Sequence, residues 1–221
     1  MVNTVGKPYS CSEKLFNAHC PQKILPLVFS LVDVRSAIDV GCGLGTWTQV
    51  LVDMGVEDVC AMDGEWYDPD ILSRHIDLGK FIVHDLNKGM YHGERRFDLA
   101  ICLEVAEHVD PLNENNVVDT LTGLSDVILF SAAIPGQGGK GHVNEQWPSH
   151  WQRLFREQGY DFADVVRPCI WTDRQIYKWY RQNVFIVAKS DLLPDIYARF
   201  HSLNIENKML DVVHPEYWNR H

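Results

Sequence analysis

The densest chemistry in this chain lies in CLEVAEHV, residues 102–109, where Glu104, Glu107 and His108 follow a short apolar run. A later histidine, His142, stands in the segment GHVNEQWP. Two carboxylates and two imidazoles converging on one pocket form an oxygen- and nitrogen-rich set suited to a divalent metal such as Mg²⁺. Such an ion lowers the pKa of a bound alcohol as it does that of bound water. His142 alone is also the residue type whose ordinary pKa suits a general base. The competing reading gives the histidine only a place in a loop, with Glu107 and His108 orienting substrate or packing beneath it. A second set is Asp39 followed by Gly41, Gly43 and Gly45 in SAIDVGCGLGTWTQVL. There an acid and a turn that only glycine tolerates precede a helix N-terminus, which suits close approach of backbone to a ligand. A third set is made of acids ending apolar runs: Asp63, Asp85 and again Glu104. A carboxylate offers two acceptors to paired hydroxyls, and Asp85 with the Leu86 N–H can meet an amine and ring nitrogen together.

These residues must be positioned by strands and helices. Ala37, Ile38 and Val40 predict a strand; Trp47, Val50, Leu51 and Met54 predict a helix over 46–54 that stops at Gly55. Further strand-like runs are 59–62, 81–84, 97–103, 127–134 and 184–189. Helices are expected over 12–33, broken or kinked by Pro21 and Pro26, and after Asp110–Pro111, with Val117, Val118, Leu121 and Leu124 as the buried face. Another opens at Pro148, with Trp147, Trp151, Leu154 and Phe155 on one face and Gly159 as its end. Short apolar runs alternating with amphipathic helices predict an α/β fold, a mostly parallel sheet covered on both faces. In open sheets of this kind, ligands bind beyond the carboxyl ends of the strands, where all three acids fall. The glycine-rich stretch 136–141 reads as a loop inside the domain.

The glycine turn with its preceding acid and the ordered strand-end acids resemble the class I S-adenosylmethionine-dependent methyltransferases over about residues 30–190. The dinucleotide pattern G-x-G-x-x-G fits less well, because Thr46 takes the place of its last glycine. The resemblance implies a Rossmann-like, doubly wound seven-stranded sheet with one antiparallel strand, the extra antiparallel pairing falling near 162–189. It implies that Asp39 and Gly41–Gly45 hold the methionyl end of S-adenosylmethionine, Asp63 the ribose, and Asp85 with Leu86 the adenine. Glu104 would lie beside the cofactor. The E-x-x-E-H with a later histidine is similar to that of metal-dependent O-methyltransferases, and implies Glu104, Glu107, His108 and His142 as ligands. On this reading the protein methylates a small hydroxylated acceptor, a sugar or secondary metabolite. An amine acceptor, or cofactor binding without catalysis, are the alternatives. Trp171, Trp179 and Tyr180 are candidate walls of the acceptor pocket, with Arg181 for an anionic group; the spacing of these aromatics also fits simple packing.

The chain has 221 residues, 46 % of them hydrophobic, enough for a sizeable core and most simply one domain. The expected division is a helical cap over 1–33, a core over 34–190 and a C-terminal extension over 191–221. A net charge of −10 argues against a broad electrostatic grip on nucleic acid. Six cysteines without a C-x-x-C pair, several in apolar runs, suggest a reducing compartment, and neither a signal peptide nor a membrane-spanning run is visible. The expectation is a cytoplasmic protein with a small-molecule acceptor and, as a further partner, a second copy in a homodimer.

Overall fold

A computed structural model describes residues 18–200 and 212–214. Within these, helix α1 (His19–Leu31) leads into β1 (Ser36–Val40), α2 (Thr46–Asp53), β2 (Asp58–Asp63), α3 (Pro69–Leu72), β3 (Phe81–Val83) and β4 (Leu99–Leu103). Then come α4 (Glu114–Leu124), β5 (Val127–Ser131), α5 (Pro148–Glu157), β6 (Tyr160–Ala163), α6 (Arg167–Ile170), α7 (Lys178–Asn183), β7 (Phe185–Lys189) and α8 (Leu193–Arg199). The seven strands form one sheet in the order β3-β2-β1-β4-β5-β7-β6. β7 runs antiparallel to both of its neighbours, and the other pairings are parallel. The chain order reverses between β1 and β4, so the crevice for a ligand lies above their carboxyl ends.

Two apolar layers sandwich the sheet. One face carries Ala37, Leu99, Ile101, Leu129 and Ile186 against Ile24, Leu25 and Val28 of α1 and Trp47, Val50 and Leu51 of α2. The other carries Ile38, Ala100, Cys102, Ile128, Phe130 and Val187 against α4 and the Trp151 and Phe155 of α5. Central strands buried on both faces read as continuous apolar runs, which is why they are legible without alternation. Five cysteines, Cys20, Cys42, Cys60, Cys102 and Cys169, are free thiols among the described residues. No helix among the described residues is long and apolar enough to cross a membrane.

Several boundaries differ from expectation. Pro26 lies inside α1 without ending it. The apolar run 127–134 is a strand only as far as Ser131. The helix expected directly after Pro111 begins with a 3-10 turn, Pro111–Asn113, before α4. Trp147 is the N-cap of α5 and is 38 % exposed, so it does not share the buried face of Trp151, Leu154 and Phe155. Residues 12–17 of the expected first helix, and much of the C-terminal extension, lie outside the described residues.

Candidate active site

The glycine turn after β1 is shaped by what lies around it. Gly41 has φ +76°, and a Cβ there would come within 2.3 Å of the Val105 side chain, so both conformation and space require glycine. The N–H groups of Gly41 and Cys42 donate to the Met62 carbonyl at 2.8 and 3.0 Å, and fix the turn to β2. Gly43 at φ +56° aims its N–H at Asp63 Oδ2, 2.7 Å away, while the Gly64 N–H donates to Oδ1, also at 2.7 Å. Asp63 is thus clamped by two backbone donors and the Trp66 side chain, which still leaves acceptor capacity for a ligand. Burial raises its pKa, and these two N–H groups, with the Trp66 side chain, act against that rise.

Asp39 is placed differently. It is 3 % exposed and accepts the Thr48 hydroxyl at 2.8 Å, tying the end of β1 to α2 beneath the glycine turn. Burial lifts its pKa to about 7. Neither Asp39 nor Gly45, the N-cap of α2, lines the cavity above the turn. They shape the loop beneath the cavity rather than line it.

That cavity, of about 660 Å³, opens at the carboxyl ends of the parallel strands and has the size of a cofactor-plus-substrate site. Gly41, Gly43, Asp63, Asp85, Leu86, Glu104, Glu107, His108, His142, Trp179 and Tyr180 all line it. Asp85 accepts the Asn87 N–H at 2.9 Å, which closes a turn and leaves its other oxygen 3.9 Å from Lys88 Nζ. Trp66 and Tyr67, which follow β2, also line the cavity, and the Trp66 indole packs so closely on Gly64 that a Cβ there would meet it at 2.2 Å. Lys140 is the one lysine or arginine among the lining residues.

The two remaining candidates for the acceptor pocket fall elsewhere. Arg181 is buried, donates to the Ile176 and Trp171 carbonyls at 3.0 and 3.2 Å, and sits 3.2 Å from His214 Nε2. Trp171 packs on the His214 ring at 4.6 Å. Successive residues on a helix diverge by about 100°. Tyr180 facing the cavity therefore turns Arg181 away from it. The expectation that Trp171 and Arg181 touch the acceptor is corrected by this placement.

Opposite the glycine turn, the acidic motif and the late histidine meet. Glu104, at φ +57°, accepts from Asn183 Nδ2 at 3.0 Å and Gln137 Nε2 at 2.7 Å. Glu107, on the 3-10 turn Ala106–His108, is fully buried, and neither of its carboxylate oxygens has a hydrogen-bond partner. Burial, reinforced by Glu104, holds its pKa well above the usual carboxylate range. The Glu107 carbonyl accepts the N–H groups of Val143 and Asn144 at 2.9 and 3.0 Å, which pins the loop after β5 to this turn. His142 Nε2 consequently stands 4.0 Å from Glu107 Oε1, and the His108 and His142 rings meet edge to face at 4.8 Å.

The outer nitrogens set the tautomers. His108 Nδ1 lies 3.1 Å from the Gly141 carbonyl, which can only accept, so Nδ1 carries the proton and Nε2 the lone pair. Burial depresses the His108 pKa to about 4, which keeps the ring neutral. His142 Nδ1 lies 2.8 Å from Glu145 Oε1 and donates in the same way. One atom each from Glu107, His108 and His142 fall within 4.8 Å of one another, a donor set of one carboxylate and two lone-pair imidazoles that fits a divalent ion. Glu104 is not among the atoms of this cluster, and its two oxygens accept instead from Gln137 and Asn183; the expected four-residue set is corrected to three.

Sequence reasoning missed Glu145, Gln137 and Asn183. The first had a signal, an acid three residues beyond a histidine; the two amides had none, since only the fold brings them to Glu104.

Comparison with known proteins agrees with this architecture. The family described as "Methyltransferase domain" matches residues 13–183. The magnesium protoporphyrin IX methyltransferase of Synechocystis PCC 6803, solved with bound S-adenosylmethionine, is similar in structure at 18 % identity and TM-score 0.56, over 86 % of each chain. The sugar N-methyltransferase of a Streptoalloteichus species is similar at 13 % identity and TM-score 0.63, over 86 % of this chain and 97 % of that one. A Haemonchus contortus phosphoethanolamine N-methyltransferase is similar at 14 % identity and TM-score 0.54, over 89 % of this chain and 50 % of that one. A search of curated protein sequences found no match. With its family matched over most of its length and the glycine turn, strand-end acids and sheet order all in place, the chain belongs to the methyltransferase-domain family and is a class I S-adenosylmethionine-dependent methyltransferase.

Proposed function

We propose that this protein transfers the methyl group of S-adenosylmethionine to a hydroxyl of a small acceptor held at the Glu107–His108–His142 cluster. One observation carries this reading: a fully buried carboxylate with both oxygens unpartnered faces two imidazoles on the wall of the cavity that Asp63 also lines. A buried polar group without a partner is costly, so its retention points to a ligand. Asp63 receives the ribose hydroxyls, Asp85 and Leu86 the adenine, and the turn from Gly41 to Gly45 the methionyl end. The remaining wall binds the acceptor oxygen in line with the sulfonium methyl. The C–S bond breaks as the O–C bond forms, and S-adenosylhomocysteine leaves with the electron pair on sulfur. Orientation of this kind contributes several kcal/mol, on the order of 7–11 in the most favourable cases.

A divalent ion held by Glu107, His108 and His142 would lower the pKa of the acceptor hydroxyl, so that its proton would pass to solvent as the oxygen attacks. A second reading needs no ion: His142 Nε2, whose lone pair faces the cavity beside Glu107, takes the hydroxyl proton directly.

Methyl transfer to matched panels of hydroxylated and amine acceptors, with and without chelator, tests both. Hydroxyl methylation that chelator abolishes and Mg²⁺ restores supports the metal-held acceptor; insensitivity to chelator supports the base. In either case His142→Ala should cut turnover by roughly 10²–10⁴, with S-adenosylhomocysteine still bound. Methylation of amines alone, or normal turnover in His142→Ala, would overturn the proposal.

A further inference from the structure

The loop between β5 and α5 contains one carboxylate that gathers three donors. Glu145 Oε2 accepts the Gly136 N–H at 2.8 Å; Oε1 accepts the Gly138 N–H at 2.7 Å and the His142 Nδ1–H at 2.8 Å. The loop returns over the imidazole so closely that a Cβ on Gly139 would lie 2.2 Å from His142 Nε2. No other residue type fits that crossing without a shift. From the far side, Val143 and Asn144 are bonded to the Glu107 carbonyl. His142 is therefore held at Nδ1 by Glu145, through the backbone of the next two residues by Glu107, and across its face by the glycine loop.

We propose that Glu145 is the positioning residue of this enzyme: it fixes His142 as the Nδ1–H tautomer, presents the Nε2 lone pair to Glu107 and the acceptor, and locks the glycine loop over it. The inference rests on His142 being the group that meets the acceptor, but its geometry is specific to Glu145. A histidine whose outer N–H is held by a carboxylate has its ring orientation and tautomer set together, and loss of such a partner typically costs 10- to 100-fold in ligand affinity or activity, about that order.

The test is ¹⁵N NMR of histidine-labelled protein without added ligand, at a pH where imidazoles are neutral, with His142 assigned by the signal lost in His142→Ala. The wild type should show Nδ1 protonated. Glu145→Ala should shift His142 to the Nε2–H form that free histidine prefers. Glu145→Gln, whose amide oxygen still accepts, should retain Nδ1–H. Unchanged thermal unfolding and S-adenosylhomocysteine affinity would show that the variants are folded; should Glu145→Ala not fold, Glu145→Asp withdraws the carboxylate by one methylene and gives the same readout. An Nε2–H tautomer in the wild type, or Nδ1–H persisting in a folded Glu145→Ala, overturns the inference. Failure of the functional reading looks different: the tautomer would follow Glu145 while His142→Ala turned over normally.

Discussion

At the scale of single residues, the site works by withholding alternatives from its polar groups. Asp63 is aimed by the Gly43 and Gly64 N–H groups, so a ligand meets a carboxylate already oriented. Asp63→Ala should weaken S-adenosylhomocysteine binding by about 1.5–3 kcal/mol, the range for sheltered hydrogen bonds to a charged group, read by isothermal titration. An affinity equal to wild type would remove Asp63 from the cofactor site. Glu107 is the opposite case, a buried carboxyl whose oxygens complete no hydrogen bond, with the Glu107 and Ala133 N–H groups acting on it. On the metal-held reading, Glu107→Gln should leave that binding unchanged and abolish the binding of Mn²⁺ that titration detects in wild type; equal ion affinity in both proteins, or none in wild type, would exclude Glu107 as a ligand. The strand-end acids and the E-x-x-E-H motif were legible in the sequence because strand patterning and spacing place them. The split of Glu104 from the metal-type cluster was not, since its oxygens are taken by Gln137 and Asn183, distant in sequence and brought near by the loop after β5 and by α7.

At the scale of elements, the site is a junction of loops held together from below. Asp39 links β1 to α2 through Thr48, and its folded-state pKa of about 7 lies above the ordinary value near 4. The folded chain therefore holds a proton at Asp39 that the unfolded chain has released, so this group's contribution to stability is fully present below about pH 4 and is lost as pH rises through about 7. Asp39→Asn keeps an acceptor for the hydroxyl and cannot ionise. Urea unfolding across that window should show wild type losing stability relative to Asp39→Asn, and parallel curves would refute the assignment. Asn183 does similar work between α7 and the turn after β4, donating to Glu104 at 3.0 Å and to Gln137 Oε1 at 2.8 Å. The central strands and α2, α4 and α5 were legible because buried parallel strands and one-sided helices write strong periodicities. The short α6 and α7 were not, because a helix of four or six residues offers too few turns to reveal a face. With α7 unread, the direction of Arg181 could not be foreseen.

At the scale of the molecule, the cavity joins the carboxyl ends of β1, β2 and β4 to the loops after β3 and β5, and the residues that line it come from Val40 to Tyr180. A ligand that reaches from Asp85 across Asp63 to the glycine turn bridges segments that in its absence are connected mainly through the sheet. Binding to the folded state alone stabilises it by RT ln(1 + [L]/Kd), about 2.7 kcal/mol at a hundredfold excess over Kd. S-adenosylhomocysteine should therefore raise the unfolding temperature in a concentration-dependent way, and Asp63→Ala should need correspondingly more ligand for the same shift. NAD should not reproduce this. Its pyrophosphate needs a turn whose third glycine lets helix and strand pack closely, and here Thr46, 7 % exposed, fills that position at the first turn of α2. Thermal-shift titrations with both ligands decide the matter: stabilisation by NAD alone would mean that the glycine turn serves a dinucleotide, whatever the strand order suggests. Stabilisation by S-adenosylhomocysteine that survives both Asp63→Ala and Gly43→Val undiminished would place the cofactor outside this cavity altogether.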